Sequence, residues 1–192
     1  MSTNAILTRE EAMAIVEKAV KWSKADAVDV QINTYTQGNI RFADNQVSTA
    51  GSTTDAQLGV QSAFGPKHAV VTTNDLSDEA IKRAVEQSER IAKLAPDDPE
   101  AMPQLGKQTY APVNAFFEST ANLSADDRAK AALIALEMAR KAGDVKAAGY
   151  LVSGAGALAI GNSTGMFAYH RATNVNYTLT ARTTDGTGSG WA

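Results

Sequence analysis

The chain has no cysteine and only two histidines among its 192 residues. The first absence removes disulfides and thiolate chemistry, and it permits the cytosol without requiring it. The second leaves little for a metal. A zinc peptidase needs two histidines one helical turn apart and a carboxylate to take the proton from zinc-bound water. His68 stands beside a Gly65-Pro66 turn and His170 lies far away in the strand-like Phe167-Ala168-Tyr169-His170-Arg171. Their expected places are the surface and a sheet face. No G-x-S-x-G elbow occurs, so no serine has the setting of a nucleophile. Lys and Arg gather in no window and the net charge is −3, which disfavours nucleic acid as a partner. No apolar run nears the roughly 18 residues of a membrane span. Met1 is followed by polar residues, without the basic stretch and apolar core of a signal peptide. A soluble cytoplasmic protein with no membrane partner is the expectation.

Glycine is present but not where a phosphate loop needs it. Gly186, Gly188 and Gly190 in Thr183-Thr184-Asp185-Gly186-Thr187-Gly188-Ser189-Gly190-Trp191-Ala192 are spaced by two. A phosphate cradle needs a helix opening straight after its glycines. Only Trp191 and Ala192 follow, so this stretch reads as a flexible exit from the last strand.

The rest of the chain is legible as helices and a meander. Thr8-Arg9-Glu10-Glu11 has the form of a capping box, and Ala12, Ile15, Val16, Ala19 and Val20 recur at helical spacing, predicting a helix over 9–23. Val28 to Asn33 alternates apolar and polar residues, the mark of a strand with one wet face. Gly38-Asn39 predicts a turn into Ile40-Arg41-Phe42, Asp44-Asn45 a second into Val47-Ser48-Thr49, and Gly65-Pro66-Lys67 a third after Leu58 to Phe64. Asp75 or Ser77 caps a second helix over 78–94. Four prolines between Ala95 and Asn122 predict an irregular surface connector with Tyr110, Phe116 and Phe117 as anchors. Ser124 opens a third helix to about Ala142, and a second β region spans 147–182. The expected fold is α+β: a two-layer α/β sandwich with a mainly antiparallel sheet and about three helices. Residues 1–95 form a first α/β half, 96–123 the connector and 124–192 a second half. Asp44-Asn45 and Gly161-Asn162 hold like places in the two halves, which an internal duplication would explain.

Candidate chemistry is sparse. The carboxylate pairs Glu10-Glu11, Asp97-Asp98 and Asp126-Asp127 fall at helix starts or in the connector, where caps, dipoles and solvation account for them. Arg41 and Arg182 lie on the polar phase of strands, on a solvated face or lining a groove. The strands are rich in Thr, Ser, Asn and Gln, as in Gln46-Val47-Ser48-Thr49 and Asn174-Val175-Asn176-Tyr177-Thr178. That surface suits an extended peptide adding to a sheet by main-chain hydrogen bonds, and equally suits a sheet face built to stay solvated. Arg41, Asn45, Asn162 and Arg182 are the candidates for lining a peptide groove. No catalytic, cofactor-binding or metal-ligating residue is assigned.

Four motifs in order carry a resemblance: Ile40-Arg41-Phe42-Ala43-Asp44-Asn45-Gln46-Val47, Val71-Thr72-Thr73-Asn74-Asp75-Leu76-Ser77, Asn162-Ser163-Thr164-Gly165, and Asp185-Gly186-Thr187-Gly188-Ser189-Gly190. The chain resembles the N-terminal domain of the TldD/PmbA family over nearly its whole length. The resemblance implies a cytosolic metallopeptidase system in which a TldD-like subunit carries zinc on an HExxxH motif. That subunit pairs with a PmbA-like (TldE) subunit lacking the motif. It also implies a homo- or heterodimer, an unfolded peptide as substrate, and a label, modulator of DNA gyrase, attached to some members. HExxxH does not occur in these residues, so no catalytic or zinc-binding residue transfers to them. The catalytic region is expected outside this chain. The alternative is a non-catalytic PmbA/TldE-like partner or scaffold, and the Gly-Ser-Gly-Trp ending resembles that branch.

Overall fold

The computed structural model describes residues 6–192, so the reading made at Met1 lies outside the described residues. In chain order the elements are α1 (Arg9–Trp22), β1 (Ala27–Ala43), β2 (Gln46–Phe64), β3 (Lys67–Thr73), α2 (Asp78–Leu94), α3 (Glu118–Ala121), α4 (Ala125–Lys141), β4 (Val145–Asn162), β5 (Phe167–Thr183) and β6 (Ser189–Trp191). The six strands form one antiparallel sheet in the order β3-β2-β1-β4-β5-β6. This is the expected two-layer α+β fold, with four described helices where about three were expected, the extra one being the single turn α3.

The helices begin where side chains can satisfy their first amides. Thr8 Oγ1 accepts from Glu11 N at 3.2 Å while Thr8 N donates to Glu11 Oε2 at 2.8 Å. Ser124 and Asp127 repeat the arrangement at α4. At α2, Ser77 Oγ accepts from Ala80 N at 3.3 Å. Each device fills orphan donors that a bare helix start leaves open.

The strands depart from the sequence reading first at Gly38-Asn39. Gly38-Asn39 makes no turn, and β1 runs unbroken with buried and wetter residues alternating along it. A Cβ at position 38 would overlap the guanidinium of Arg128, so the glycine leaves room for that group while the strand continues. Asp44 and Asn45 do turn the chain, with φ of 51° and 62°, a left-handed pair that suits a tight hairpin. Val47 to Thr49 is the start of the long β2 rather than a separate strand.

Two compact units divide the chain. The first takes residues up to Tyr35, Asp55–Asn114 and Gly156–Arg171. Its core joins Val16 and Ala19 of α1, Val28, Val30 and Ile32 of β1, Leu58 and Val60 of β2, Ile81 and Val85 of α2, and Ala159 of β4. Ser62 and Ser88 are buried within it and bond each other at 2.7 Å, as buried hydroxyls must. The second takes Thr36–Thr54, Ala115–Ala155 and Ala172–Ala192. Its core is Ile40, Phe42, Ala132, Leu136, Ala139 and Ala147, with the Phe42 ring stacked on Tyr177 at 5.8 Å. Each unit draws on both 1–95 and 124–192, because β1, β2, β4 and β5 are long enough to supply residues to both.

The connector is irregular as expected, apart from α3. Of its expected anchors Phe116 is half-buried, Phe117 is half-exposed but donates its backbone amide to Thr173 Oγ1 at 3.2 Å, and Tyr110 is half-exposed. Gln104 is a further anchor: its Nε2 donates to Val28 O and Asp29 Oδ2, each at 2.8 Å, and its Oε1 accepts from Ser163 Oγ at 2.8 Å. The final glycines also differ from expectation. Gly186 turns the chain at φ 76°, and Ser189–Trp191 pairs with Thr180–Arg182 as an edge strand.

Candidate functional site

Alternation decides which side chains of the first unit face solvent. The even residues of β1 from Val28 to Thr34 are buried, which turns Asp29, Gln31 and Asn33 to the other side of the sheet. β2 does the same, burying Leu58, Val60 and Ser62 and presenting Gln57, Gly59 and Gln61. β3 adds Val70 and Thr72, in register with Gln61 and Gly59. Together with Ile160 of β4 these line an open concavity of about 230 Å³.

Its chemistry is that of amides. Gln31, Asn33, Gln57 and Gln61 each carry a donor and an acceptor on one group. An extended peptide presents the same pair at every residue, so an amide-lined floor can answer both. The one charged lining residue, Asp29, is occupied by Gln104. Among the described residues β3 closes one edge of the sheet, where its outer amides and carbonyls have no further strand to pair with. A neighbouring concavity of about 430 Å³ lies between the β2–β3 turn and the connector. There His68 Nδ1 sits 3.7 Å from Asp98 Oδ2.

The four groove candidates take different places. Arg41 is exposed in the second unit, its guanidinium 5.8 Å from the centre of the Tyr150 ring. Arg182, in the same unit, is exposed on β5 opposite Ser189. Asn45 is committed to its own turn: Nδ2 donates to Val145 O at 3.1 Å, Oδ1 accepts from Ala147 N at 2.9 Å, and its carbonyl accepts from Arg140 at 2.7 Å. Asn162, in the first unit, is buried and equally committed. Its Oδ1 accepts from Thr164 N and Met166 N, and its Nδ2 donates to Leu105 O at 2.9 Å. The lining glutamines were within reach of the sequence, since they fall on the polar phase of β1 and β2. Gln104 was not, because nothing around it distinguishes an anchoring residue from a solvated one.

Perturbed titrations fall on turns, on the α4 cap, on Lys146 beside Asp44 and on aromatic rings. Burial raises the pKa of the Tyr169 phenol, which donates to Leu7 O at 2.8 Å, and burial raises that of Tyr177 likewise. The hydroxyl of Thr183 and the amide and hydroxyl of Thr187 hold the Asp185 carboxyl below its ordinary range. Among the described residues no three His, Cys, Asp or Glu side chains are grouped to hold a metal ion. These residues therefore offer zinc no donor set. No described helix is long and apolar enough to cross a membrane.

Residues 28–92 match the family model described as PmbA/TldA metallopeptidase domain 1, and residues 118–192 match the one described as PmbA/TldA metallopeptidase central domain. No curated protein matches the chain. Among solved structures, TldE from Thermococcus kodakarensis is similar over 93% of this chain at 15% identity and a TM-score of 0.83. A candidate modulator of a DNA gyrase from Thermotoga maritima is similar over 96% at 14% identity and 0.75. A candidate modulator of DNA gyrase from Bacteroides thetaiotaomicron is similar over 97% at 13% identity and 0.74. At these identities the likeness is one of fold. The chain spans 40%, 42% and 44% of those three chains respectively.

Proposed function

The chain belongs to the PmbA/TldD metallopeptidase family, and on that premise we propose that it is the part of a peptidase subunit that receives unfolded peptide. The amide-lined concavity on β1, β2 and β3 is the receiving surface. One observation carries this reading: four side-chain amides line one open sheet face, beside an edge strand. An extended chain laid there exchanges water for matched donors and acceptors, with register set by the strands and little demand on sequence. Arg41 and Arg182, exposed in the second unit, offer polar contacts of their own to a peptide. Zinc and the hydrolytic step belong to a region of the full protein outside these residues, or to a partner subunit. A PmbA-like scaffold whose partner holds the zinc is the second reading, favoured by the likeness to TldE.

The test is made on this chain with an unstructured peptide, followed by NMR. Shifts at Gln31, Asn33, Gln61 and Thr72 are expected. The double substitution Gln31→Ala with Gln61→Ala is expected to weaken binding about tenfold, the worth of one or two hydrogen bonds, without changing the thermal midpoint. Binding unaffected by the pair rejects this face. Peptide cleavage or stoichiometric zinc in this chain alone rejects the division of labour.

A further inference from the structure

Two residues of the connector are held as a bound peptide would be. Hydrogen bonds converge on Gln104 and Leu105 from β1 and from the turn between β4 and β5. Gln104 Nε2 donates to Val28 O and Asp29 Oδ2 at 2.8 Å each, and Gln104 Oε1 accepts from Ser163 Oγ at 2.8 Å. The carbonyl of Leu105 accepts from Asn162 Nδ2 at 2.9 Å and from Thr164 Oγ1 at 2.7 Å. One side-chain amide and one main-chain carbonyl are thus recognised, groups that any extended chain containing glutamine presents.

Apolar packing does little to fasten this segment. Met102 is 87% and Leu105 67% exposed, so hydrogen bonds rather than buried surface keep 102–105 in place. Such bonds exchange for those of water or of another chain at small net cost. Upstream the connector is fixed separately, where Asp98 N donates to Pro66 O at 3.1 Å, so the segment can leave without releasing that hold. Its position is the end of the amide-lined concavity. Asp29 lines both that concavity and its neighbour of about 430 Å³, whose wall includes Met102, Pro103 and Gln104. A chain laid along the face therefore meets Gln104 at Asp29.

We propose that Gln104 and Leu105 are an intramolecular occupant of a peptide subsite formed by Val28 O, Asp29, Asn162, Ser163 and Thr164. Incoming peptide takes the subsite by displacing them, and glutamine is the residue favoured there. This rests on the receiving role given above to the same face. The tether holds the segment at an effective concentration on the order of millimolar. A peptide with few matching groups is turned away, and one that carries glutamine into the subsite while its neighbours lie on the amide floor enters.

A synthetic peptide copying residues 100–108, Glu-Ala-Met-Pro-Gln-Leu-Gly-Lys-Gln, probes the subsite in trans. The chain carrying Gln104→Ala is expected to bind it about tenfold more tightly than the parent, the worth of one or two hydrogen bonds taken from the competitor. NMR shifts are expected at the amides of Ser163 and Thr164. A copy of the peptide carrying Gln104→Leu should lose that gain. Gln104→Glu in the chain sets a carboxylate against Asp29 and should free the subsite likewise. Both chain variants are expected to melt within about 5 °C of the parent. Equal or weaker binding by Gln104→Ala overturns the proposal and makes the segment a fixed wall. Indifference of the probe to its own glutamine overturns the preference. The two readings separate cleanly. If Gln31→Ala with Gln61→Ala weakens binding of an unstructured peptide while Gln104→Ala changes nothing, the face stands and the displaceable segment falls; the reverse pattern supports the subsite and rejects the amide floor.

Discussion

A methyl group added at Gly149 would overlap the carbonyl oxygen of Thr178 and the ring of Phe42. The oxygen belongs to the backbone of the neighbouring strand and the ring belongs to a buried core residue, so neither can step aside cheaply. Gly149→Ala is expected to cost about 1–3 kcal/mol, the usual penalty of overpacking. Gly106→Ala, with open space around it, is expected to stay within about 0.5 kcal/mol of the parent. Urea midpoints of the two variants check both. Arg128 shows the opposite accommodation at Gly38. Its guanidinium is buried, donates to Leu123 O and Ser153 Oγ, and leaves Nε without a partner. The missing side chain on β1 is what makes that burial geometrically possible.

Among the elements, helix starts were the most legible parts of the sequence, because a cap and its partner sit three residues apart and act locally. Thr8 with Glu11, Ser77 before α2 and Ser124 with Asp127 all form as their spacing predicts. Strand alternation was legible for the same reason. The continuity of β1 was not, since Gly38-Asn39 reads locally as a turn and the strand runs on through it within the sheet. Of the candidate site, the polar phase could be read but not its use: Asn45 and Asn162 look like groove amides in sequence and serve as turn braces in space. The α4 cap yields a pH-dependent prediction. The Ser124 hydroxyl and backbone amide hold the Asp127 carboxyl below its ordinary pKa of 3.8. A depressed folded pKa adds stability above the unfolded value, and that stability is lost as pH falls from there through the folded value. Ser124→Ala is expected to cost about 1 kcal/mol at neutral pH. The gap between variant and parent should narrow below about pH 4, as Asp127 takes up a proton first in the unfolded chain and then, below its depressed value, in the folded one, where the neutral acid accepts only weakly. Melting temperatures across that range decide it; a gap constant with pH rejects the role given to the Asp127 charge.

For the molecule as a whole, charge and topology carry the argument. A net charge of −3 without a basic cluster gives duplex DNA little to hold, whatever names its structural relatives bear. At about 150 mM salt this chain is expected to leave a labelled duplex unbound at micromolar concentration. Binding that weakens steeply as salt rises would reverse that reading. The family, the α+β class and the antiparallel sheet were all legible, because they follow from local patterns in order. The division into two cores was not, because it depends on strands whose ends pack with different partners.

The central strand pair also governs how the chain is born. β1 ends at Ala43 and its partner β4 begins at Val145, and contacts such as Ser163 Oγ with Val28 N close over 135 residues. At cellular rates of translation, β1 therefore leaves the ribosome on the order of ten seconds before the strand that will complete it. During that interval the β1–β2–β3 meander shows an open inner edge, and its long strands are the segments most exposed to mispairing. Chaperones acting on the nascent protein would find their ground on that edge.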